Sequence, residues 1–196
     1  MLNSLETMTI NGHELLLKKR LFKFLYYNFA IYLPRGTNKY FGWLGKRVRR
    51  YVCRHIFDYC GKNVNVEKGA RFGNGFRIRI GDNSGLGVNC VIPDGSVIGK
   101  NVMMGPNCYI HARNHAFSRT DIPMMQQGYT MSKPIQIDDD VWIGRDVAIM
   151  AGRHISSGSI IAANCVLTKD FPEYSVVGGN PGKLIRSRRD ETSYQS

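Results

Sequence analysis

Two histidines stand four residues apart in His111-Ala112-Arg113-Asn114-His115. Imidazole titrates near neutrality, so such a ring can take a proton from a hydroxyl and hand it to a departing group. Both histidines open a stretch, residues 111–136, that interrupts an otherwise regular pattern, and long excursions of this kind usually carry function. A spacing of four would also suit two metal ligands, but a zinc site needs a third and none is evident. The five cysteines (Cys53, Cys60, Cys90, Cys108, Cys165) are odd in number and form no CxxC pair. They read as buried, reduced thiols of a cytoplasmic protein, not as a disulfide framework or metal site.

Reactive groups need a mount, and the flanking chain supplies one with a period of six. Aliphatic residues or methionine fall at Ile80, Leu86, Ile92, Ile98, Met104 and Ile110, and the beat resumes at Ile137, Ile143, Ile149, Ile155, Ile161 and Leu167. A period of six matches neither an α-helix nor simple strand alternation. It matches a solenoid in which each hexad gives one short strand and one turn, with the sixth-residue aliphatic aimed into a shared core. Gly, Asn and Asp punctuate the hexads, as in Ile80-Gly81-Asp82-Asn83-Ser84, and these residues tolerate positive φ at corners. Cys90, Cys108 and Cys165 take the fifth place of their hexads, where a small side chain packs inward. Three hexads close a triangular coil, so five to six coils fit within 61–172. The beat starts loosely at Val64, Ala70 and Phe76 and slips phase around Arg77–Arg79.

Residues 1–60 lack the repeat. Asn11 with Glu14 three places on resembles a capping box, which predicts a helix to about Tyr32, ended by Leu33-Pro34. Phe41, Leu44, Val48, Tyr51/Val52 and Ile56 predict a second helix, stopped by Gly61. These helices would cap one end of the solenoid, and residues 173–196 would cap or fold back at the other. Of the net charge of +12, residues 1–60 contribute eleven Lys and Arg against three acids. That basic segment reads as a solvated face, or as a surface drawn to an anionic membrane or a phosphate-bearing substrate. No nucleic-acid recognition module is visible. The best apolar run, Phe24 to Leu33, holds about ten residues, too few to span a bilayer, and has no secretory cleavage pattern. Parallel strands with open edges favour lateral association of identical chains.

The hexads, the histidine-bearing loop, Val141-Trp142-Ile143-Gly144, Leu167-Thr168-Lys169-Asp170 and Gly179-Asn180-Pro181-Gly182-Lys183 together resemble the hexapeptide-repeat acyltransferases, whose members include galactoside, maltose and serine acetyltransferases. The likeness spans about residues 61–186. It implies a mainly β protein: a left-handed parallel β-helix with a helical N-terminal segment and one protruding loop, an exception to the right-handed crossover rule. It also implies a homotrimer with active sites between neighbouring prisms, and acetyl-CoA as co-substrate with no metal. The basic, aromatic N-terminal segment is similar to that of sugar O-acetyltransferases of capsule and exopolysaccharide pathways.

On this resemblance His115 occupies the place of the catalytic base, and His111 is its rival. The backbone N–H of Arg145 takes the oxyanion role, at a position where the family often has a smaller residue. Gly144, Arg145, Ala163, Thr168, Lys169 and Lys183 match contacts to coenzyme A, the two lysines as point charges for phosphates. Asn89 and Asp94 match the saccharide side, although Pro93 stands where the family's acidic residue is found. Arg113, Asn114 and Tyr129 are further acceptor candidates, and Trp142 is either a wall of the site or a packing residue at a turn. His154, His13 and His55 receive no role.

The expected activity is transfer of an acetyl group to a sugar hydroxyl in cell-surface polysaccharide biosynthesis, by direct transfer in a cytoplasmic enzyme with peripheral membrane contact. Three alternatives stay open: N-acetylation of a nucleotide-linked amino sugar, a γ-type carbonic anhydrase, and a non-catalytic solenoid scaffold.

Overall fold

The computed structural model describes residues 2–190, with side chains from Gly12 onward. Helix α1 (Leu2–Asn28) and helix α2 (Gly42–Ile56) precede a parallel β-helix of about six coils. Strands of two residues stack in register into three faces. The first runs through Tyr59–Cys60, Arg79–Ile80, Val97–Ile98, Gln136–Ile137 and His154–Ile155. The second stacks Met103–Met104, Trp142–Ile143, Ile160–Ile161 and Ser175–Gly178, with Asn65–Val66 paired to Gly85–Leu86 in the coils before them. The third stacks Tyr109–Ile110, Ala148–Ile149 and Val166–Leu167, extended upward by bridges from Tyr109 to Val91 and from Val91 to Arg71.

The period of six is the geometry of the core. Eleven of the twelve in-phase aliphatic positions are buried, and the twelfth, Met104, packs against them partly covered. Each fully buried Ile or Leu contributes about 1.5–3 kcal/mol of apolar transfer free energy. A second inward set lies two residues earlier, at Ile78, Ser84, Cys90, Ser96, Val102, Cys108, Ile135, Val141, Val147, Ser159 and Cys165, all buried. This alternation places the cysteines, which are free thiols, inside the prism. The Cys108 side chain beside Cys90, together with burial, raises the Cys90 thiol far above its ordinary value, so it stays protonated and unreactive.

Corners follow from residues that accept a left-handed backbone. Asn63, Asn83 and Asn101 have φ near +57°, and their side-chain amides bond down the stack, Asn63 to Asn83 and Asn83 to Asn101 at 3.2 Å each. The phase slip also has a structural cause. Tyr59 pairs with Arg79 and Arg71 with Val91, so the segment from Arg71 to Arg79 holds two residues more than its counterparts. The surplus forms a bend with Gly73 and Gly75 at positive φ. The beat therefore begins with Cys60, Val66 and Phe72; the expected Val64 and Ala70 belong to the second inward set.

The helical segment differs from expectation in two respects. Helix α1 begins at Leu2 and continues through Asn11, so no cap forms there; the Asn11 side chain lies outside the described residues. It ends at Asn28, with a 3-10 turn at Ala30–Tyr32 before Leu33-Pro34. Helix α2 buries Gly42, Gly45, Arg49, Val52, Cys53 and Ile56, whereas Phe41, Leu44 and Tyr51 are exposed. The reason is close backbone approach: a Cβ at Gly45 would strike the Pro34 carbonyl, and one at Gly42 would come within 2.5 Å of the Gly36 carbonyl.

The helices are joined to the first coil by a buried apolar cluster that sets Tyr26, Val52 and Ile56 against Val64, Val66 and Phe72, and by polar contacts to main chain. Arg49 is fully buried, donating from Nε to the Val66 carbonyl and from Nη1 to those of Leu33 and Pro34 at 2.9 and 3.1 Å. Its second amino group lies 3.5 Å from Glu67. Burial works to raise the Glu67 carboxyl, but the Gly36 N–H, the Asn65 amide and Arg49 outweigh it and hold the group below its ordinary value. Tyr26 donates to the Ala70 carbonyl at 2.8 Å, and Tyr27 accepts the Phe72 N–H at 3.0 Å. At the other end, parallel pairing continues to Val177, past the expected boundary at 172. Lys183–Ser187 then folds back antiparallel on Ser175–Gly178 and closes the edge. Residues 191–196 of the expected tail lie outside the described residues.

Candidate active site

The excursion at 111–136 leaves the third face directly after Ile110. His111 is still part of the solenoid, its N–H donating to the Ile149 carbonyl at 2.9 Å. Beyond it the chain makes a short antiparallel ribbon. Ala116 N–H bonds the Gly128 carbonyl, Thr130 N–H the Asn114 carbonyl, and Lys133 N–H the Ala112 carbonyl. His115 and Tyr129 form the rung between them, with ring centroids 4.3 Å apart. The ribbon thus holds the His115 ring outside the prism against an aromatic plate, while His111 rests on Tyr109 at 4.7 Å. The two histidines belong to different elements.

Between ribbon and prism lies an open cleft of about 580 Å³, lined by Val91, Pro93, Asp94, Tyr109, His111, Arg113, Asn114, His115 and Tyr129 among others. Asp94 faces this cleft, its carboxylate accepting from the Arg77 N–H and guanidinium at 3.1 Å each. Of the residues expected on the saccharide side, the structure brings Asp94, Arg113, Asn114 and Tyr129 together with His115. It does not bring Asn89, which is absent from the cleft lining. Asn89 is a corner residue at φ +57° whose amide donates to Asn107 at 3.3 Å. Tyr109 and Arg77 belong to the site and were not expected. The signal for Tyr109 was the hexad itself, because the residue before each core aliphatic points outward.

The remaining positions occupy two lower corners of the same face. Gly144 and Ala163 stack at one of them, where a Cβ on Gly144 would lie 2.6 Å from the Ala163 nitrogen. The Arg145 N–H donates no hydrogen bond within the described residues, and its side chain turns away to Asp146 at 2.8 Å. Thr168 and Lys169 follow Leu167 at the other corner, two rungs below His111 in the register Ile110–Ile149–Leu167. Rungs are about 4.8 Å apart, so roughly 10 Å separates these levels. Lys183 opens the final strand, next to Gly182, whose N–H donates to the Val166 carbonyl. Below Tyr109 the outward residues of this face are the small Ala148 and then Val166. Trp142 sits on neither a turn nor the cleft; it is outward on the second face between Met103 and Ile160.

A β-helix with one such ribbon defines a class. Residues 77–112 match the model for the bacterial transferase hexapeptide (six repeats), and residues 134–169 that for the hexapeptide repeat of succinyl-transferase. The galactoside O-acetyltransferase of Escherichia coli is 32% identical over 148 residues, covering 74% of this chain and 71% of that protein. A hexapeptide-repeat acetyltransferase of Vibrio cholerae, solved with acetyl coenzyme A, superposes with a TM-score of 0.70 at 29% identity, covering 91% of this chain and 89% of that one. A galactoside acetyltransferase solved with coenzyme A gives a TM-score of 0.70 at 28% identity, over 93% and 87%. The chain belongs to the hexapeptide-repeat acyltransferases and is an acetyltransferase on their left-handed parallel β-helix.

Proposed function

We propose that the protein transfers an acetyl group from acetyl-CoA to a saccharide hydroxyl, with His115 as general base. The observation that carries this reading is the placement of the His115 ring in a cleft that also holds the Asp94 carboxylate and two tyrosine rings. Such a lining suits a polyhydroxylated ring, with aromatic plates for its apolar faces and a carboxylate to accept from its hydroxyls. His115 takes the proton of the acceptor hydroxyl as that oxygen bonds to the thioester carbonyl carbon. The Arg145 N–H, without a hydrogen-bond acceptor among the described residues, is the donor for the resulting oxyanion. When the C–S bond breaks, the proton passes from the imidazole to the departing thiolate. Gly144 and Ala163 leave the backbone open to the pantetheine arm, and Thr168, Lys169 and Lys183 take the polar end.

His115→Ala is expected to lower turnover by about two orders of magnitude or more while acetyl-CoA still binds in calorimetry. Near-normal turnover in that variant overturns the assignment of the base.

The enzyme acts as a homotrimer in the cytoplasm, on an acceptor of capsular or exopolysaccharide synthesis. The outward column Met103, Trp142, Ile160 and Val176 supports lateral association, since it is apolar along its length. Peripheral contact with anionic membrane is supported by exposed Leu17, Leu21, Phe24, Trp43 and Tyr51 beside Lys18, Arg20, Arg47 and Arg54, with no acid anywhere in α2. No described helix is long and apolar enough to cross a membrane. Sedimentation tests both points: three chain masses in solution, and pelleting with phosphatidylglycerol vesicles that is lost with pure phosphatidylcholine. A monomer, or pelleting indifferent to lipid charge, would contradict them.

A further inference from the structure

The cleft carries more positive charge than a neutral sugar requires. Asp94 is its one acidic lining residue, and Arg77 already compensates it at 3.1 Å. Arg113 lies in the same lining with its guanidinium 4.2 Å from the Tyr129 ring centroid. Arg71 is the next rung above Val91 in the outward column that continues to Tyr109, and both of those residues line the cleft. In-register parallel neighbours point the same way, so Arg71 projects at the cleft's upper edge. Arg71 is exposed, and neither it nor Arg113 has an acidic partner within the described residues. Helix α1 continues the rim. Lys23 bonds Asn74 at 2.7 Å and Lys19 the Phe76 carbonyl at 3.0 Å, both in the bend beside Gly73, another lining residue.

We infer that the acceptor is an anionic saccharide whose phosphate or carboxylate is held by Arg71 and Arg113; this rests on the saccharide reading above. Two planar guanidinium groups at the mouth of the open cleft are suited to bidentate recognition of either oxyanion. Lys19 and Lys23 add a field that raises its local concentration. The reach is adequate. The Tyr129 ring centroid is 4.2 Å from the Arg113 guanidinium and 4.3 Å from the His115 ring centroid, so the two groups lie no more than about 8.5 Å apart. A hexose with a substituent phosphate or carboxylate can bridge that span while offering a hydroxyl to His115. Sugar phosphates, diphosphate-linked sugars and uronates share this chemistry, and the neutral glycosides lack it.

Acetyl transfer by the full-length protein across a panel of hexoses, each supplied free, as its 1-phosphate and as its uronate, tests the inference. For the hexose that is used, KM for a charged form is expected to be at least tenfold below that of the free sugar. Arg71→Gln and Arg113→Gln should each raise that KM severalfold with kcat within twofold, and Lys at either position should restore part of it. A lower KM for the 1-phosphate identifies phosphate as the group held, and a lower KM for the uronate identifies carboxylate. Equal KM for free and charged forms, or variants that weaken both alike, overturns this inference and leaves the saccharide reading standing. Acetyl-CoA binding without transfer to any hexose in any form overturns both.

Discussion

The solenoid and the helical platform are held together by different means. Across the coils the same kind of contact recurs, an aliphatic side chain stacked on its equivalent 18 residues away, or 39 where the excursion intervenes, with a polar ladder at the corners. At the platform almost nothing repeats. Two arginines, two tyrosines and a pair of glycines set the junction, and several of their contacts are hydrogen bonds from side chain to main chain, Arg50 to Val64 beside Arg49 to Val66 among them. Redundancy spreads the consequence of any one change over neighbouring coils, as in other repeat proteins. A single buried charge concentrates it.

Arg49→Ala is therefore the largest expected effect. It leaves the Val66, Leu33 and Pro34 carbonyls without their donor and Glu67 without its cation, in a site from which water is largely excluded. Breaking one partner of a buried pair costs about 3–5 kcal/mol. The change should appear as an early thermal transition that loses helical circular dichroism ahead of the strand signal. A single transition at the wild-type temperature would show that the platform does not depend on this residue.

This contrast also explains what could be read from the chain. The twelve in-phase positions, the excursion and its histidines are statements about spacing, and spacing is visible in one dimension. So were the small residues at corners, because positive φ selects Asn, Asp and Gly. The face of α2 was misjudged because packing there is set by Gly42 and Gly45, whose lack of a side chain lets backbones approach, while Phe41 and Leu44 carry the apolar signal outward. Arg49 is one of the eleven basic residues of the N-terminal segment, and nothing local distinguishes an arginine aimed at three carbonyls from one in water. In the cleft, the interruption marks out His115 and the hexad marks out Tyr109 as an outward residue, whereas Arg77 reaches Asp94, 17 residues on, only through the stacking of one coil on the next. Asn89 shows the reverse, a polar residue whose partner is the next corner down.

A smaller effect tests the corners. Asn101 holds φ +57° and accepts from Asn83 at 3.2 Å. Asn101→Ala keeps the Cβ in the left-handed region but removes the polar side chain that offsets its strain there, at a cost of up to about 1–2 kcal/mol. Asn101→Gly keeps the backbone and loses only the ladder contact, so it should be milder. If both variants unfold alike in urea, the ladder and not the backbone conformation holds the corner.

The smallest expected change probes the redundancy itself. Ile143 is fully buried at the middle of the second face, with Met104 above it and Ile161 below. Ile143→Val removes one methylene from a stack that continues in both directions, and typical costs are about 0.5–1.5 kcal/mol. Combining it with Ile98→Val on the first face should give the sum of the two single effects if the coils accommodate each locally, because neither side chain replaces a unique contact. Urea titrations of the two single variants and the double variant measure this directly. A double variant that loses much more than the sum would mean the core behaves as one cooperative block, and the distinction drawn between repeated and singular contacts would then be one of degree.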